Sequence, residues 1–243
     1  EAGRAGQRCA LNLAGIGLNK DLIARGDWLI SGAPPAPAHK IDVRLRVLKS
    51  EARALAHWTP VHVHLGASET TGRVAVLGQN NIEPGGTGLA QLVLDHPIGV
   101  AHGDGLIIRD QSAQRTVGGG RVIDVYPPAR GRARPERLAF LAAMEETDEG
   151  TALLQLLDVS PNGLRLDRFA AVRNLTDADM EALKELVPMK KVPMESGSLG
   201  FSDARWAGMC DAVLDGLAAF HRKSPDMVGP GENRILTGTG IRL

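Results

Sequence analysis

This sequence of 243 residues has few aromatic residues, few cysteines and no excess of charge of either sign. Aromatic side chains make up only 3% of it, so aliphatic residues must fill its cores, and a hydrophobic content of 43% is enough for that. The 28 basic and 28 acidic residues cancel, which excludes a globally basic nucleic-acid binder and leaves only a local basic patch for such a partner. The two cysteines, Cys9 and Cys210, are far apart, which favours a reducing compartment over a disulfide framework.

Sequence signals for membrane insertion, secretion and nucleotide hydrolysis are also missing. No segment has the apolar length that a bilayer span needs, and no signal peptide is recognisable. The P-loop pattern G-x-x-x-x-G-K-[ST] does not occur. Asn19-Lys20-Asp21 imitates the guanine-reading N-K-x-D signature, but Leu22 occupies the position of the required carboxylate. The first residue is Glu1 rather than Met, so we expect this sequence to be a piece of a longer chain, without a catalytic site of its own.

The N-terminal part predicts β-structure followed by a linker. Residues 7–13 alternate between apolar and polar positions, as a half-buried strand does, and residues 27–30 predict a second short strand. The segment Ala33-Pro-Pro-Ala-Pro37 contains three prolines, which cannot lie inside a sheet. It therefore predicts a stiff linker.

Nearly every segment between residues 41 and 125 predicts a β-strand. The strand patterns cover residues 41–47, 61–65, 74–76, 90–94, 106–108 and 121–125. Predicted turns separate them at Gly72, at 85–88 and at 103–105. Short strands joined by such turns are typical of a small antiparallel barrel. The run Gly118-Gly-Gly120 enters a strand rather than a helix, so close packing of neighbouring strands is favoured over a phosphate-binding loop.

Helices are predicted after a basic hinge, Arg130–Arg137. Thr176 has the features of a helix N-cap, and Asp179 occupies the third position of a capping box. A β-hairpin is predicted between residues 190 and 201, and helices followed by a hairpin are the outline of a winged-helix domain. Ser202 caps a further long helix, whose predicted buried face consists of Trp206, Met209, Cys210, Val213, Leu217 and Phe220.

Two groups of residues were candidates for a binding site. His62 and His64 are two residues apart on a strand, so they point to the same face. They could begin a zinc site, but no further ligand lies near enough in the sequence to complete one, and a polar strand face is favoured. A surface that grips a nucleic-acid backbone needs cations spaced along one face. Four arginines mark the strand ends of the barrel, and ordinary solvation accounts for at least half of them: Arg73, Arg109, Arg115 and Arg121.

Two segments resemble, in this order, the last β-barrel of the elongation factor Tu family, which grips the acceptor arm of tRNA. They are His62-Val-His-Leu-Gly-Ala-Ser-Glu-Thr-Thr-Gly-Arg73 and Arg115-Thr-Val-Gly-Gly-Gly-Arg-Val-Ile-Asp-Val125, the second preceded by Asp95-His-Pro-Ile98. A helical region follows where ordinary elongation factor Tu would end. This region, the asparagine of Leu11-Asn-Leu13 and the run Gly26-Asp-Trp-Leu29 are similar to the selenocysteine-specific branch of that superfamily.

The resemblance implies four regions. Residues 1–33 resemble the end of the second β-barrel domain of the family, and residues 38–126 resemble the third, tRNA-binding barrel. Residues 129–201 resemble the first winged-helix domain, and residues 202–243 the truncated start of a second one. The family's GTP-binding domain, with its GTP and Mg²⁺, and its final mRNA-reading winged helix have no counterpart here. The tail 235–243 fits the family poorly, as a frameshift or a truncated gene would explain.

The function that the resemblance implies is a part in the GTP-dependent delivery of selenocysteinyl-tRNA to the ribosome at UGA codons. Its partners would be that tRNA, the ribosome and, through the missing C-terminal domain, a selenoprotein mRNA hairpin. The protein would be cytoplasmic and monomeric, with no membrane partner and no cofactor bound by this chain. The resemblance also implies that this piece spaces the mRNA-reading end from the tRNA.

The resemblance assigns two kinds of site residue. It places Arg8 beside the selenocysteine side chain, which is largely an anion at neutral pH and is favoured by a guanidinium over neutral serine. It places His64, Arg73, Gln114 and Arg115 against the tRNA. The residues alone leave alternatives open, because Arg8 is also compatible with a solvated surface arginine and Arg115 with a structural ion pair to an acid.

Two other interpretations of the whole sequence remain. A DNA-binding regulator with a barrel and a winged helix would need a basic recognition helix. The matching helix, 176–187, carries four acids against the single Lys184, and that face repels phosphate. The winged helix is therefore expected to be a spacer or a protein-contacting unit. Another translational GTPase of the same superfamily would lack residues 129–231.

Overall fold

The structure, a computed structural model, describes residues 3–4, 6–15, 23–30, 37–231 and 235. Within them, a closed antiparallel barrel precedes a helical region with a small sheet. The barrel order is β1-β6-β4-β3-β7-β8, while β2 and β5 form a separate two-stranded ribbon. The strands are β1 Ala38–Val47, β2 Leu55–Ala56, β3 Thr59–Leu65, β4 Ser68–Leu77, β5 Asn81–Ile82, β6 Thr87–Ile98, β7 Gly105–Arg109 and β8 Thr116–Asp124. All six predicted strands are confirmed.

The barrel closes around the aliphatic residues whose alternation predicted it. Along β1, the side chains of Val43, Leu45 and Val47 are completely buried, while Arg46 between them is exposed. A period of two places alternate residues on opposite faces of a strand, so one face fills the barrel and the other meets solvent. The exposed faces of these strands are therefore the surface on which a binding partner can be recognised.

Glycines allow the barrel strands to approach each other closely. A Cβ atom on Gly118 would lie 2.4 Å from the carbonyl oxygen of Arg46, and one on Gly120 would lie 1.9 Å from that of Arg44. The expected role of the triple glycine in close strand packing is confirmed. The predicted turn at Gly72 is wrong, because Gly72 lies inside β4, where a Cβ would meet the carbonyl oxygen of Val93 at 2.5 Å. Gly72 therefore allows β4 and β6 to approach each other closely and does not form a turn.

The helical region begins with α1 and contains a three-stranded sheet of order β10-β11-β9. Thr176 and Asp179 form the predicted capping box, with both reciprocal hydrogen bonds present, and the predicted hairpin is confirmed. The elements are α1 Pro135–Met144, α2 Glu149–Val159, β9 Leu164–Arg165, α3 Leu166–Arg173, α4 Asp177–Leu186, β10 Lys190–Pro193, β11 Ser198–Phe201 and α5 Asp203–Lys223.

A buried ion cluster joins α1 to the barrel. The guanidinium of Arg137 donates to the carboxylates of Asp42 on β1 and Asp124 on β8. Gln91 on β6 donates to the other oxygen of Asp42 at 2.9 Å. Arg44 adds a second, more exposed ion pair to Glu145 beyond the end of α1. Since the apolar side chains of both regions also form one continuous cluster, the helical region is docked firmly on the barrel.

Three predictions about the remaining segments need correction. No strand forms at residues 7–13 or 27–30, because a strand requires a hydrogen-bonded neighbour and these segments pair with no other described residue. The predicted apolar face of α5 is only partly covered, and Cys210 on it is exposed. Few described residues lie against this helix, so no side chain on it is fully buried. Ser202 nevertheless caps α5, because its hydroxyl oxygen accepts a hydrogen bond from the backbone N–H of Arg205 at 3.3 Å.

Several predictions lie outside the described residues. They concern residues 19–21, which resemble the guanine-binding N-K-x-D motif, most of the proline linker 33–37, and nearly all of the tail 235–243. Among the residues that are described, no helix combines the length and the apolar character of a membrane span.

Candidate nucleic-acid interface

Two of the candidate arginines lie at the same end of the barrel. Arg73 on β4 is the cross-strand partner of Pro60 on β3. Pro60 lines a surface cleft together with Arg115 and Arg53. Strand register therefore places Arg73 and Arg115, which are 42 positions apart in the sequence, at the same end of the barrel, with β3 and β7 between their strands.

A hydrogen-bonded turn holds Arg115 and Gln114 in place. The carboxylate of Asp110 accepts hydrogen bonds from the backbone N–H groups of Gln114 at 2.9 Å and Arg115 at 3.0 Å, and from the Ser112 hydroxyl at 2.9 Å. The backbone hydrogen bond from Arg115 is the main reason that the pKa of Asp110 lies below its ordinary value. The turn thus presents both candidate side chains on a fixed backbone, with that of Gln114 exposed.

Arg115 is paired with an acid and still open to solvent. Its guanidinium contacts the carboxylate of Glu51, whose side chain is only 7% exposed, whereas that of Arg115 is 57% exposed. The structural alternative considered for Arg115 is therefore present in the fold. An arginine presents five donors, so a single carboxylate leaves others free for a second acceptor such as a phosphate.

Arg73 has no such partner. Its side chain is exposed and donates to the carbonyl oxygen of Trp58 at 3.4 Å. No carboxylate among the described residues lies within ion-pairing distance of it. A solvent-exposed guanidinium without an acid keeps its full attraction for an anion.

His64 lies apart from these arginines and beside an acid. It is four residues along β3 from Pro60, which corresponds to about 13 Å. His62 and His64 flank Glu69, with Nδ1 of His62 at 3.1 Å and Nδ1 of His64 at 3.8 Å from its carboxylate oxygens. Glu69 reaches the two histidines because it is the cross-strand partner of His64 in the β3–β4 hairpin, and the spacing of the residues in the sequence did not indicate this contact. Among the described residues, no group of three or more His, Cys, Asp or Glu side chains is arranged so that it could hold a metal ion.

The other candidate arginines have different surroundings. Arg121 is exposed and lies beside Arg44 across the β1–β8 pair, so two cations share one row of the barrel surface. Arg109 is partly buried, and its Nε has no hydrogen-bond partner. Arg8 is exposed and makes no ion pair with another described residue.

An exposed tryptophan that no sequence pattern indicated lies next to Arg73. Trp58 is 42% exposed and has a left-handed backbone, with φ of +71°. The guanidinium carbon of Arg132 lies 5.5 Å from the centroid of its ring. The only signal in the sequence was an isolated tryptophan in a chain with few aromatic residues, and its environment depends on a contact across 74 positions.

Comparison with known proteins shows which family this barrel is similar to. The sequence model of the family described as selenocysteine-specific elongation factor, beta-barrel domain, matches residues 42–129. The selenocysteine-specific elongation factor of Escherichia coli is 36% identical over 237 residues, which are 97% of this chain and 35% of that protein. That of Haemophilus influenzae is 35% identical over 97% of this chain and 36% of its own length.

A third relative extends the same pattern. The selenocysteine-specific elongation factor of Desulfomicrobium baculatum is 31% identical over 252 residues, which cover 99% of this chain and 38% of that protein. The chain thus spans little more than a third of the length of the curated relatives it matches. The barrel therefore matches the β-barrel domain of the selenocysteine-specific elongation factor family, and nearly the whole chain is similar to members of that family.

Proposed function

We propose that the barrel, residues 38–126, binds the acceptor and T arms of selenocysteine tRNA through their phosphates. The observation that carries this proposal is the presence of Arg73 and Arg115 at one end of a closed barrel, both exposed and both with donors available. The names of the relatives support the choice of tRNA. His64, which lies about 13 Å from Pro60 along β3, would be a second contact, separate from these arginines.

The test is a salt series of binding to an uncharged selenocysteine tRNA transcript. Few cations are available, so we expect log K to fall with log salt with a shallow slope, about that of a few released counterions. Arg73→Ala and Arg115→Ala should each weaken binding and reduce the slope by about one. Arg222→Ala, which removes an exposed arginine at the end of α5, is the matched control. Wild-type affinity in both barrel variants would refute the surface.

The helical region would act as a spacer rather than as a nucleic-acid reader. We propose that residues 129–201 form a winged helix, since the order α2-β9-α3-α4-β10-β11 is helix, strand, two helices and a two-stranded hairpin. The exposed face of α4 carries mainly acids, and its one lysine, Lys184, is paired with Glu181 at 2.7 Å. Residues 202–243 would begin a second such unit, and residues 1–33 would end a preceding barrel.

The activity of the whole protein is the larger proposal. Within the longer factor, this chain would take part in delivering selenocysteinyl-tRNA to the ribosome at UGA codons in the cytoplasm, as a monomer. GTP and Mg²⁺ would bind, and the mRNA hairpin would be read, in parts of the factor outside this chain. Arg8 would face the selenocysteine side chain, where its guanidinium favours a selenolate over a neutral serine hydroxyl.

A further inference from the structure

Trp58 is an exposed tryptophan held in a strained backbone conformation. It lies in the turn between β2 and β3, and its backbone N–H donates to the carbonyl oxygen of Val74 at 2.6 Å. A positive φ is unusual for a bulky residue, and glycine would adopt it without strain. The strain gains no core packing, because the side chain is 42% exposed. A strained residue whose side chain faces solvent points to a binding role.

Two cations contact Trp58, one at its indole and one at its backbone. The guanidinium of Arg132, from the basic hinge, sits over the ring at 5.5 Å from its centroid. Arg73 donates to the carbonyl oxygen of Trp58 at 3.4 Å. Neither arginine has a carboxylate partner among the described residues, whereas Arg137 and Arg173 are each paired with acids. The combination is a flat apolar surface with two positive charges that no acid neutralises.

We propose that Trp58, Arg73 and Arg132 form one site for the sugar–phosphate backbone of the bound tRNA. The two guanidinium groups bind phosphates, and the free part of the indole packs against a ribose. Trp58 also acts as a positioning residue, because its ring holds Arg132 at the barrel surface through a cation–π contact. The RNA-binding surface then continues from the barrel onto the start of the hinge, at Arg132. This inference rests on the proposed tRNA-binding function.

The chemistry favours RNA over an acidic protein segment. Two arginines without acidic partners attract the phosphates of an RNA strand, and arginine binds phosphate through its planar fork. A purely structural cation–π contact, which would only tie the hinge to the barrel, makes a different prediction. It would affect the stability of the chain and leave its affinity for tRNA unchanged.

The experiment measures tRNA affinity and stability for substitutions in the full chain of 243 residues. Arg132→Ala should weaken binding of the uncharged selenocysteine tRNA transcript between about threefold and tenfold at low salt and lower the salt slope by about one. Trp58→Gly should weaken binding about as much as Arg132→Ala does. It should not lower the thermal midpoint by more than Arg132→Ala does, because glycine adopts the positive φ without strain. Trp58→Phe keeps an aromatic face and should retain most of the affinity.

A fluorescence measurement tests the contact directly. In the double variant Trp28→Phe/Trp206→Phe, Trp58 is the only tryptophan left in the sequence. Saturation with the transcript should change its emission and protect it from iodide quenching. The inference is overturned if Arg132→Ala and Trp58→Gly bind as the wild type does while Arg73→Ala and Arg115→Ala bind more weakly. If the wild-type chain does not bind the transcript at all, the proposed function fails and the inference fails with it.

Discussion

Removal of the Arg137 side chain should destabilise the junction between barrel and helices severely. The guanidinium is 10% exposed and contacts two carboxylates, those of Asp42, which is completely buried, and Asp124, which is 6% exposed. In Arg137→Met, both carboxylates stay buried without their cation. Breaking a buried ion cluster by removing one partner costs about 3–5 kcal/mol, and we expect a loss in the free energy of unfolding of that order.

A matched control uses the second ion pair of the same junction. Arg44 and Glu145 also join the barrel to the end of α1, but their side chains are 37% and 30% exposed. Because solvent screens such a pair, Arg44→Met should cost about 1 kcal/mol or less. The assay is urea unfolding at pH 7 followed by circular dichroism, with the m-value checked for a single transition.

The pH dependence of Arg137→Met provides a second criterion. Burial already raises the pKa of Asp42 above its ordinary value, and the nearby Arg137 opposes that effect. Without Arg137 the pKa should rise further. A raised pKa means that the folded state binds the proton more tightly than the unfolded chain does. The contribution of Asp42 to stability is then greatest at low pH and is lost as pH rises through the folded-state pKa. The difference in free energy of unfolding between the wild type and Arg137→Met should therefore become smaller from pH 7 towards pH 5.

Two results would refute this reasoning. One is a loss in Arg137→Met no larger than that in Arg44→Met. The other is a deficit that does not change with pH. The triple variant Arg137→Met/Asp42→Asn/Asp124→Asn, which removes all three charges, should be more stable than Arg137→Met alone.

Three further predictions follow from particular contacts. Gly120→Ala places a Cβ 1.9 Å from a backbone oxygen of β1 and should cost about 2 kcal/mol or more, whereas Gly105→Ala, with nothing within 4 Å, should change the thermal midpoint little. Burial lowers the pKa of His102, so stability should fall as pH drops below about 6.5, and His102→Gln should flatten that part of the pH profile, measured by urea unfolding. In a full-length factor carrying this chain in place of the matching segment, Arg8→Ala should weaken selenocysteinyl-tRNA binding by about 1.5–3 kcal/mol and leave seryl-tRNA nearly unchanged, as dissociation rates would show. Equal changes for both tRNAs would exclude the pocket role of Arg8.

The barrel was predictable because each of its strands carries its own signal. The alternation of apolar residues in segments such as 41–47 and 61–65 reports directly which face is buried. The capping box at Thr176 is local in the same sense. The strands expected at 7–13 and 27–30 failed because alternation fixes a face and does not provide a neighbour to pair with. The apolar stripe of α5 overstated burial for the same reason.

The candidate site was only partly predictable because it depends on register and on distant contacts. The sequence indicated Arg73 and Arg115 individually, but only the pairing of β3 with β4 places them at one barrel end. The partner of Arg115, Glu51, is 64 positions away and no local pattern announces it. Trp58 escaped notice because its strain and its contact with Arg132 are properties of the folded chain.

Phosphate ethylation interference on the complex with selenocysteine tRNA would show directly whether the barrel grips the phosphates of the acceptor and T arms. In this experiment, each ethylated phosphate that blocks binding of the 243-residue chain marks a point of contact. We expect interference to be confined to phosphates of the acceptor and T arms, and we expect Arg73→Ala and Arg115→Ala each to abolish a distinct subset of it. Interference in the anticodon arm alone, or a pattern that both substitutions leave unchanged, would contradict this expectation.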